Sequence, residues 1–372
     1  MPNRPPPRML WTRFPLKTAH RWLNLLLLFV PGAIVLDLLH VSPLMIFIAS
    51  ALAIAPLASV LGESTGNLAS HCGPAIGGIL SATMGNFTEM IIAFFALRAG
   101  HINVVKASLS GSIIGNLLLV LGLSLVAGGV RNSVQRFSRT TSSMNTTTLM
   151  IAVAALVMPA VFNLTLFGTL QHHDIKLQKL SIWTSGVLIA LYLLNMFFVF
   201  RTHRASVSAP HPEEKDALIP SRSQAIISLG LATVLVAAMS EILVGQITPV
   251  THALGMTELF VGVIVVALVG NAAENSTAVI MARRNRMDVS MSIATGASTQ
   301  IALFVAPVLV FLSVAIGRPM TLVFNGFEIA AIVLSVLIVE MISSDGETNW
   351  FEGAQLLAVY AIVAVAFYFV PE

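Results

Sequence analysis

The sequence predicts an all-α integral membrane protein of about eleven transmembrane helices, arranged as two inverted five-helix repeats plus an extra N-terminal helix. Three observations lead there. The 372 residues are 56% hydrophobic and only 10% charged, whereas soluble domains average about 25% charged residues. Apolar segments long enough to cross a bilayer follow one another with short polar breaks. Finally, one short motif occurs twice, as Gly85-Asn86-Phe87-Thr88-Glu89 and as Gly270-Asn271-Ala272-Ala273-Glu274.

In order, the apolar spans are 22–40, 43–62, 75–97, 107–129, 147–168, 179–200, 224–245, 258–282, 289–315, 322–342 and 352–370. The first has the length of a signal-peptide core over Leu23 to Leu36, but Arg21 and Trp22 at its boundary and the lack of a small-residue cleavage site favour a retained helix. Five of the 20 Lys and Arg lie among the first 21 residues of a chain of net charge +3. A Pro-rich basic tail beside an apolar run reads as a cytoplasmic anchor in place of a nucleic-acid surface. The single cysteine, Cys72, excludes an intramolecular disulfide. With the N-terminus inside, fifteen Lys and Arg fall on the inner side; five (Arg98, Lys106, Lys176, Lys179 and Arg318) fall outside, as the positive-inside rule requires.

That topology sends the third span outward and the eighth inward. A gapless shift of 185 residues superposes the two motifs and also matches Ala93 with Ala278, Arg98 with Arg283, Val104 with Val289 and Gly111 with Gly296. Related segments of opposite direction are the mark of an inverted-repeat transporter with its site near the midplane. The expected units are 1–42 (tail and first helix), 43–200 (first repeat), 201–223 (a solvated cytoplasmic linker with Pro210, Pro212 and Pro220) and 224–372 (second repeat).

An ionisable group at the bilayer centre costs roughly 3 kcal/mol even on the mildest scale. Glu89 and Glu274 therefore stand out, against the bland alternative of a protonated carboxyl bonded to a neighbouring helix. On a helix Asn86 and Glu89 share a face, as do Asn271 and Glu274. Gly85 and Gly270 permit close helix approach or a local break that frees backbone carbonyls. Carboxylate, amide and backbone oxygens suit a hard divalent cation such as Ca²⁺. Without a cation the two acids repel and take up protons instead, so metal and protons compete for one site. Conformational exchange allowed only when that charge is neutralised gives antiport.

Polar small residues follow each motif in register. Ser112, Asn116, Ser298 and Gln300 are candidates to line the pathway, or Gly and Ser there simply permit close packing. Glu63 and Glu241 lie near the ends of the second and seventh spans and could guide ions or face interfacial water. Glu328 is deeper and has no repeat partner. His71 and the His172-His173 pair read as solvated loop residues. No His-Glu-x-x-His and no credible Ser/His pair is present, so a hydrolase, and enzymatic activity in general, is not expected.

These motifs resemble the cation/H⁺ exchanger (CAX) family of the Ca²⁺/cation antiporter superfamily. The resemblance covers nearly all of residues 55–370 and is most specific at Gly77 to Glu89, Gly270 to Ala278, Gln300 to Val305 and Asp345 to Gly353. It implies eleven helices with the first outside the repeat, Ca²⁺/H⁺ antiport, and a cation held between Glu89 and Glu274 at the Gly-Asn turns. The chain departs from the family in carrying Gly66 where a Glu is usual, with Glu63 one turn earlier, in lacking a long acidic helix after the sixth span, and in lacking the Pro-Glu signature of the Na⁺/Ca²⁺ branch. The compact ends look more prokaryotic than vacuolar. The expectation is thus an antiporter of a prokaryotic cell membrane, with the N-terminus cytoplasmic and a vacuolar membrane as the alternative. It needs no cofactor, carries Ca²⁺ and H⁺ as transported species, sits in a lipid bilayer and binds no nucleic acid. Self-association, coupling to Na⁺, transport of Mn²⁺ and a passive cation channel remain open at this point.

Overall fold

A computed structural model describes residues 25–168, 175–202 and 220–370. The basic N-terminal tail, most of the linker and His172-His173 lie outside the described residues. Chain order gives α1 (Phe29–Leu38), α2 (Pro43–Ser70), α3 (Pro74–Met84), α4 (Phe87–Ala99), α5 (Ile102–Gly129), α6 (Arg139–Phe167) and α7 (Ile175–Thr202). The second half comprises α8 (Arg222–Gly245), α9 (Ile247–Leu254), α10 (Glu258–Gly270), α11 (Ala272–Arg283), α12 (Met287–Ala315), α13 (Gly326–Ser343) and α14 (Trp350–Phe369). Two short strands, β1 (Gln135–Arg136) and β2 (Glu347–Thr348), pair antiparallel and tie the loop after α5 to the loop after α13.

Among the described residues eight helices are long and apolar enough to cross a membrane, and ten crossings result if each of two bent pairs counts as one. One bent pair is α3–α4, with a 46° bend; the other is α9–α10, at 117°. The expected first crossing corresponds to α1, of which ten helical residues are described. The short α9 has no counterpart among the expected spans. The remaining boundaries differ where caps decide them. Asn325 and Glu328 form a reciprocal capping box that starts α13 at Gly326, four residues later than the apolar run begins. Ser221 and Gln224 do the same for α8. The second expected span ends at residue 62, whereas α2 runs on to Ser70, because Gly62 to Asn67 contains no proline to interrupt the backbone hydrogen bonds and the Ser64 hydroxyl is held by Ser228 of α8.

Lipid offers no hydrophobic force between helices, so small residues decide where they touch. The sharpest example joins α5 to α10. A Cβ placed on Gly111 would overlap the Val263 backbone, and one placed on Gly262 would lie 2.5 Å from Ala107 Cβ. Helices α2 and α8 pack side by side and share a Ser64–Ser228 hydroxyl bond of 2.7 Å. The outer surface is apolar and exposed, with Trp183, Val187 and Leu194 on α7 and Ile227 and Val234 on α8 facing outward. This is a helical bundle built to be solvated by hydrocarbon.

Candidate functional site

Both motif helices are broken at the asparagine. Asn86 (φ −92°, ψ 20°) separates α3 from α4, and Asn271 (φ −96°, ψ 6°) separates α10 from α11. The preceding glycine gives each asparagine room to leave helical geometry, and the glutamate falls in the first turn of the new helix. The repeat continues beyond the motif. Asn116–Val120 in α5 and Ile301–Val305 in α12, which the shift of 185 residues superposes, both adopt π-helical geometry. Such widened turns recur at functional sites.

The two breaks interlock. Glu89 rests on Gly270, where an added Cβ would lie 2.8 Å from Glu89 Cγ. Glu274 rests on Gly85, with its Oε1 3.1 Å from the corresponding Cβ position. Each acid thus occupies space that the other motif's glycine leaves empty. The asparagines also reach across. Asn86 Nδ2 donates to Gln300 Oε1 at 2.8 Å, and Asn271 Nδ2 donates to Ser112 Oγ at 2.9 Å. Asn271 Nδ2 and Ser112 Oγ both donate to Glu89 Oε1 as well. Asn86 and Asn271 are buried at 2% and 4% exposure.

At this junction, among the described residues, three buried oxygens accept no hydrogen bond: Asn86 Oδ1, Glu89 Oε2 and Glu274 Oε2. Folded proteins rarely bury unpaired acceptors. Two neighbouring carboxylates, each with one buried oxygen that accepts no hydrogen bond, are costly unless a cation or protons fill the gap. Among the described residues no three His, Cys, Asp or Glu side chains cluster. The other oxygens at this junction are neutral and belong to Asn86, Asn271, Gln300 and Ser112.

A cavity of about 510 Å³ reaches this point from one end of the bundle. Its wall includes Gly62 and Glu63 of α2, Gly85, Thr88, Glu274 and Gln300. Glu274 faces it. Glu89 lines instead a separate space of about 10 Å³ with Ile92, Ala93, Ser108 and Ser112, on the side away from the cavity mouth. The two acids are therefore inequivalent: one looks into the open vestibule, and the other is clasped by donors behind it.

The other sequence candidates divide. Glu63 and Gln300 line the large cavity, and Ser112 holds Glu89. Asn116 lies on a second small space with Ser112, Asn271, Asn275 and Tyr360, behind the site and apart from the vestibule. Ser298 is fully buried and bonds back to Ala294 O at 2.9 Å. Glu241 is exposed on α8, outside the vestibule. Helical rotation, which residue spacing alone does not fix, decides these placements. The alternation of Asn and Glu within each motif could have revealed the crossed pairing; the Ser112 and Gln300 contacts depend on helix crossings with no local signal. A direct test of the interlock is Gly270→Ala. The new methyl displaces Glu89 from Ser112 and Asn271, so proton-driven Ca²⁺ uptake should fall about tenfold, with the lowered unfolding temperature that about 1 kcal/mol of overpacking brings.

Two related motif helices, each broken near its middle so that one acid of each meets the other motif's glycine inside an apolar bundle, are the arrangement of an inverted-repeat membrane transporter. The chain belongs to the sodium/calcium exchanger protein family, which matches residues 42–201 and 224–369. It is 44% identical over 367 residues to a Ca(2+)/H(+) antiporter of Synechocystis sp., covering 93% of this chain and 96% of that protein. It is 36% identical over 353 residues to a vacuolar calcium ion transporter of Schizosaccharomyces pombe, covering 94% and 85%. The solved structure of native YfkE matches with a TM-score of 0.81 at 39% identity, over 94% of this chain and all of that one.

Proposed function

We propose that the chain is a secondary active antiporter that exchanges cytosolic Ca²⁺ for H⁺, binding the two alternately at Glu89 and Glu274. The observation that carries this reading is the set of donorless buried oxygens on Glu89, Glu274 and Asn86 at the junction of two helix breaks. Relatives named as Ca²⁺/H⁺ antiporters support it. Ca²⁺ takes six to eight oxygens, so Glu89, Glu274, Asn86 and Asn271 are the ligands assigned here, with carbonyls freed near Gly85 and Gly270 completing the shell. With the orientation expected from Lys and Arg, the vestibule faces the cytoplasm. The structure is then inward-facing, and Glu274 meets the ion before Glu89. A cation bound between the acids offsets both charges, as protons do after its release. Either neutral form can be carried past the dry side of the site; the doubly charged form cannot. Helix α2 forms the vestibule wall opposite the motifs and packs on α8. Displacing that pair against the broken helices is the simplest way to close one side and open the other. The repeats 43–200 and 224–372 supply one wall and one motif each, and a bacterial cell membrane fits the chain best.

The test is flux into proteoliposomes, with Ca²⁺, Mn²⁺, Na⁺ and the pH gradient varied one at a time. Ca²⁺ uptake should follow an imposed proton gradient and be indifferent to Na⁺. Uptake driven by Na⁺ alone, or single-channel current, would overturn the reading. Competition adds a second expectation. Acidifying the side from which Ca²⁺ binds should raise the apparent KM for Ca²⁺ without lowering the rate at saturating Ca²⁺, because protons remove the ionised form that metal requires.

A further inference from the structure

Away from the motifs, Glu328, Ser110 and Lys106 form a polar cluster inside the bundle that the transport reading does not use. Glu328, at the start of α13, is 3% exposed. Its Oε1 accepts the Ser110 hydroxyl at 2.7 Å, and its Oε2 accepts Asn325 N at 2.9 Å. Lys106 is its electrostatic partner and donates to Val323 O at 2.8 Å and Thr321 Oγ1 at 3.3 Å. The segment that Lys106 grips joins α12 to α13 in non-helical form, with Met320, Leu322, Val323 and Phe324 all buried. Irregular backbone at membrane depth persists only when protein groups satisfy it. Here Lys106 does so together with Ser181, whose hydroxyl accepts Leu322 N at 3.0 Å.

This cluster lies at the end of the bundle opposite the vestibule mouth, and it is absent from the other half. The shift of 185 residues places Met291 against Lys106, Thr295 against Ser110 and Ser143 against Glu328. Its geometry on α5 links it to the ion site. Lys106 and Ser110 are four residues apart and share the face turned to α13. Ser108 and Ser112, also four apart, share the face turned to Glu89. Rotation of α5 that loosened one stripe would move the other.

We propose that Glu328, with Lys106 as its counter-charge, is a positioning residue for ion binding: by holding the Ser110 hydroxyl it fixes the rotation of α5 and keeps Ser112 on Glu89. This rests on the reading of Glu89 as a cation ligand. Ser110→Ala removes the hydroxyl and leaves both charges in place. In proteoliposomes it should raise the KM for Ca²⁺ about fivefold at an unchanged maximal rate, while Ser110→Thr restores the wild-type value. An unchanged KM in Ser110→Ala overturns the proposal whatever the unfolding temperature does, and so does an equally raised KM in Ser110→Thr. If Ser110→Ala does not reach the membrane, two charge-balanced double variants carry the test. Lys106→Met with Glu328→Gln keeps an acceptor for Ser110 and should keep the wild-type KM. Lys106→Met with Glu328→Leu leaves Ser110 only Ala107 O of its own helix to bond and should show the fivefold rise; equal KM values in the two would refute the assignment. Glu89→Gln in parallel separates the two layers: if it transports normally, the ligand reading fails, and if it is inactive while Ser110→Ala is normal, only the positioning role fails.

Discussion

Glu89→Gln and Glu274→Gln should each reduce proton-driven Ca²⁺ uptake to about 1% of wild type or less. Glutamine keeps the volume and one acceptor oxygen, so the bundle can assemble, but it removes a full charge from a site with only two acids. Contacts to a charged group are worth roughly 2–3 kcal/mol, and that much differential binding is about a hundredfold. The amide also cannot take up a proton, so the exchange loses one of its two carriers. Because Glu274 faces the vestibule and Glu89 is clasped by Ser112 and Asn271, the variants should differ in character. Glu274→Gln should show weak initial capture, while Glu89→Gln should retain loose Ca²⁺ binding that does not lead to transport. Comparable, near-normal uptake by both would end the assignment. Equilibrium Ca²⁺ binding to purified protein, set beside uptake, reads the difference.

Gly111→Ala should be the most damaging substitution outside the acids. Its methyl would collide with the Val263 backbone, which has no rotamer to escape into, so α5 and α10 must separate. Overpacking of this kind costs about 1–3 kcal/mol, and the separation also pulls Ser112 from Asn271. The expected result is a clear drop in unfolding temperature together with loss of transport. Its repeat counterpart, Gly296, lines the vestibule and has nothing within 4 Å of an added Cβ. Gly296→Ala should therefore unfold at the wild-type temperature. The contrast follows from conformation, since the two glycines occupy equivalent positions in sequence but only one lies at a closed helix crossing.

The sequence made much of this architecture legible. The paired Gly-Asn-x-x-Glu motifs identified the acids, the repeat and its register, because two matching polar groups in apolar spans have few structural uses. Elsewhere the limits were physical. Gly85 and Gly270 left open either a close helix approach or a local break, and the structure shows both: the helices break at Asn86 and Asn271, and each glycine makes room for the other motif's acid. Helix α2 overran its expected end because an apolar window stops at Glu63, while the helical hydrogen bonds do not. Ser298 and Glu241 were plausible lining residues by type, but one is turned into its own helix and the other faces outward. Glu328 had no repeat partner in the sequence. Its meaning came only when folding set Ser110 and Lys106 beside it.

The central claim is that one pair of carboxylates holds either Ca²⁺ or protons. Calorimetric titration of the purified protein with Ca²⁺, repeated in buffers of different ionisation enthalpy, counts the protons released on binding. At least one proton should leave for each Ca²⁺ bound near neutral pH, with fewer released in Glu274→Gln. Ca²⁺ binding that releases no protons at any pH would contradict the account.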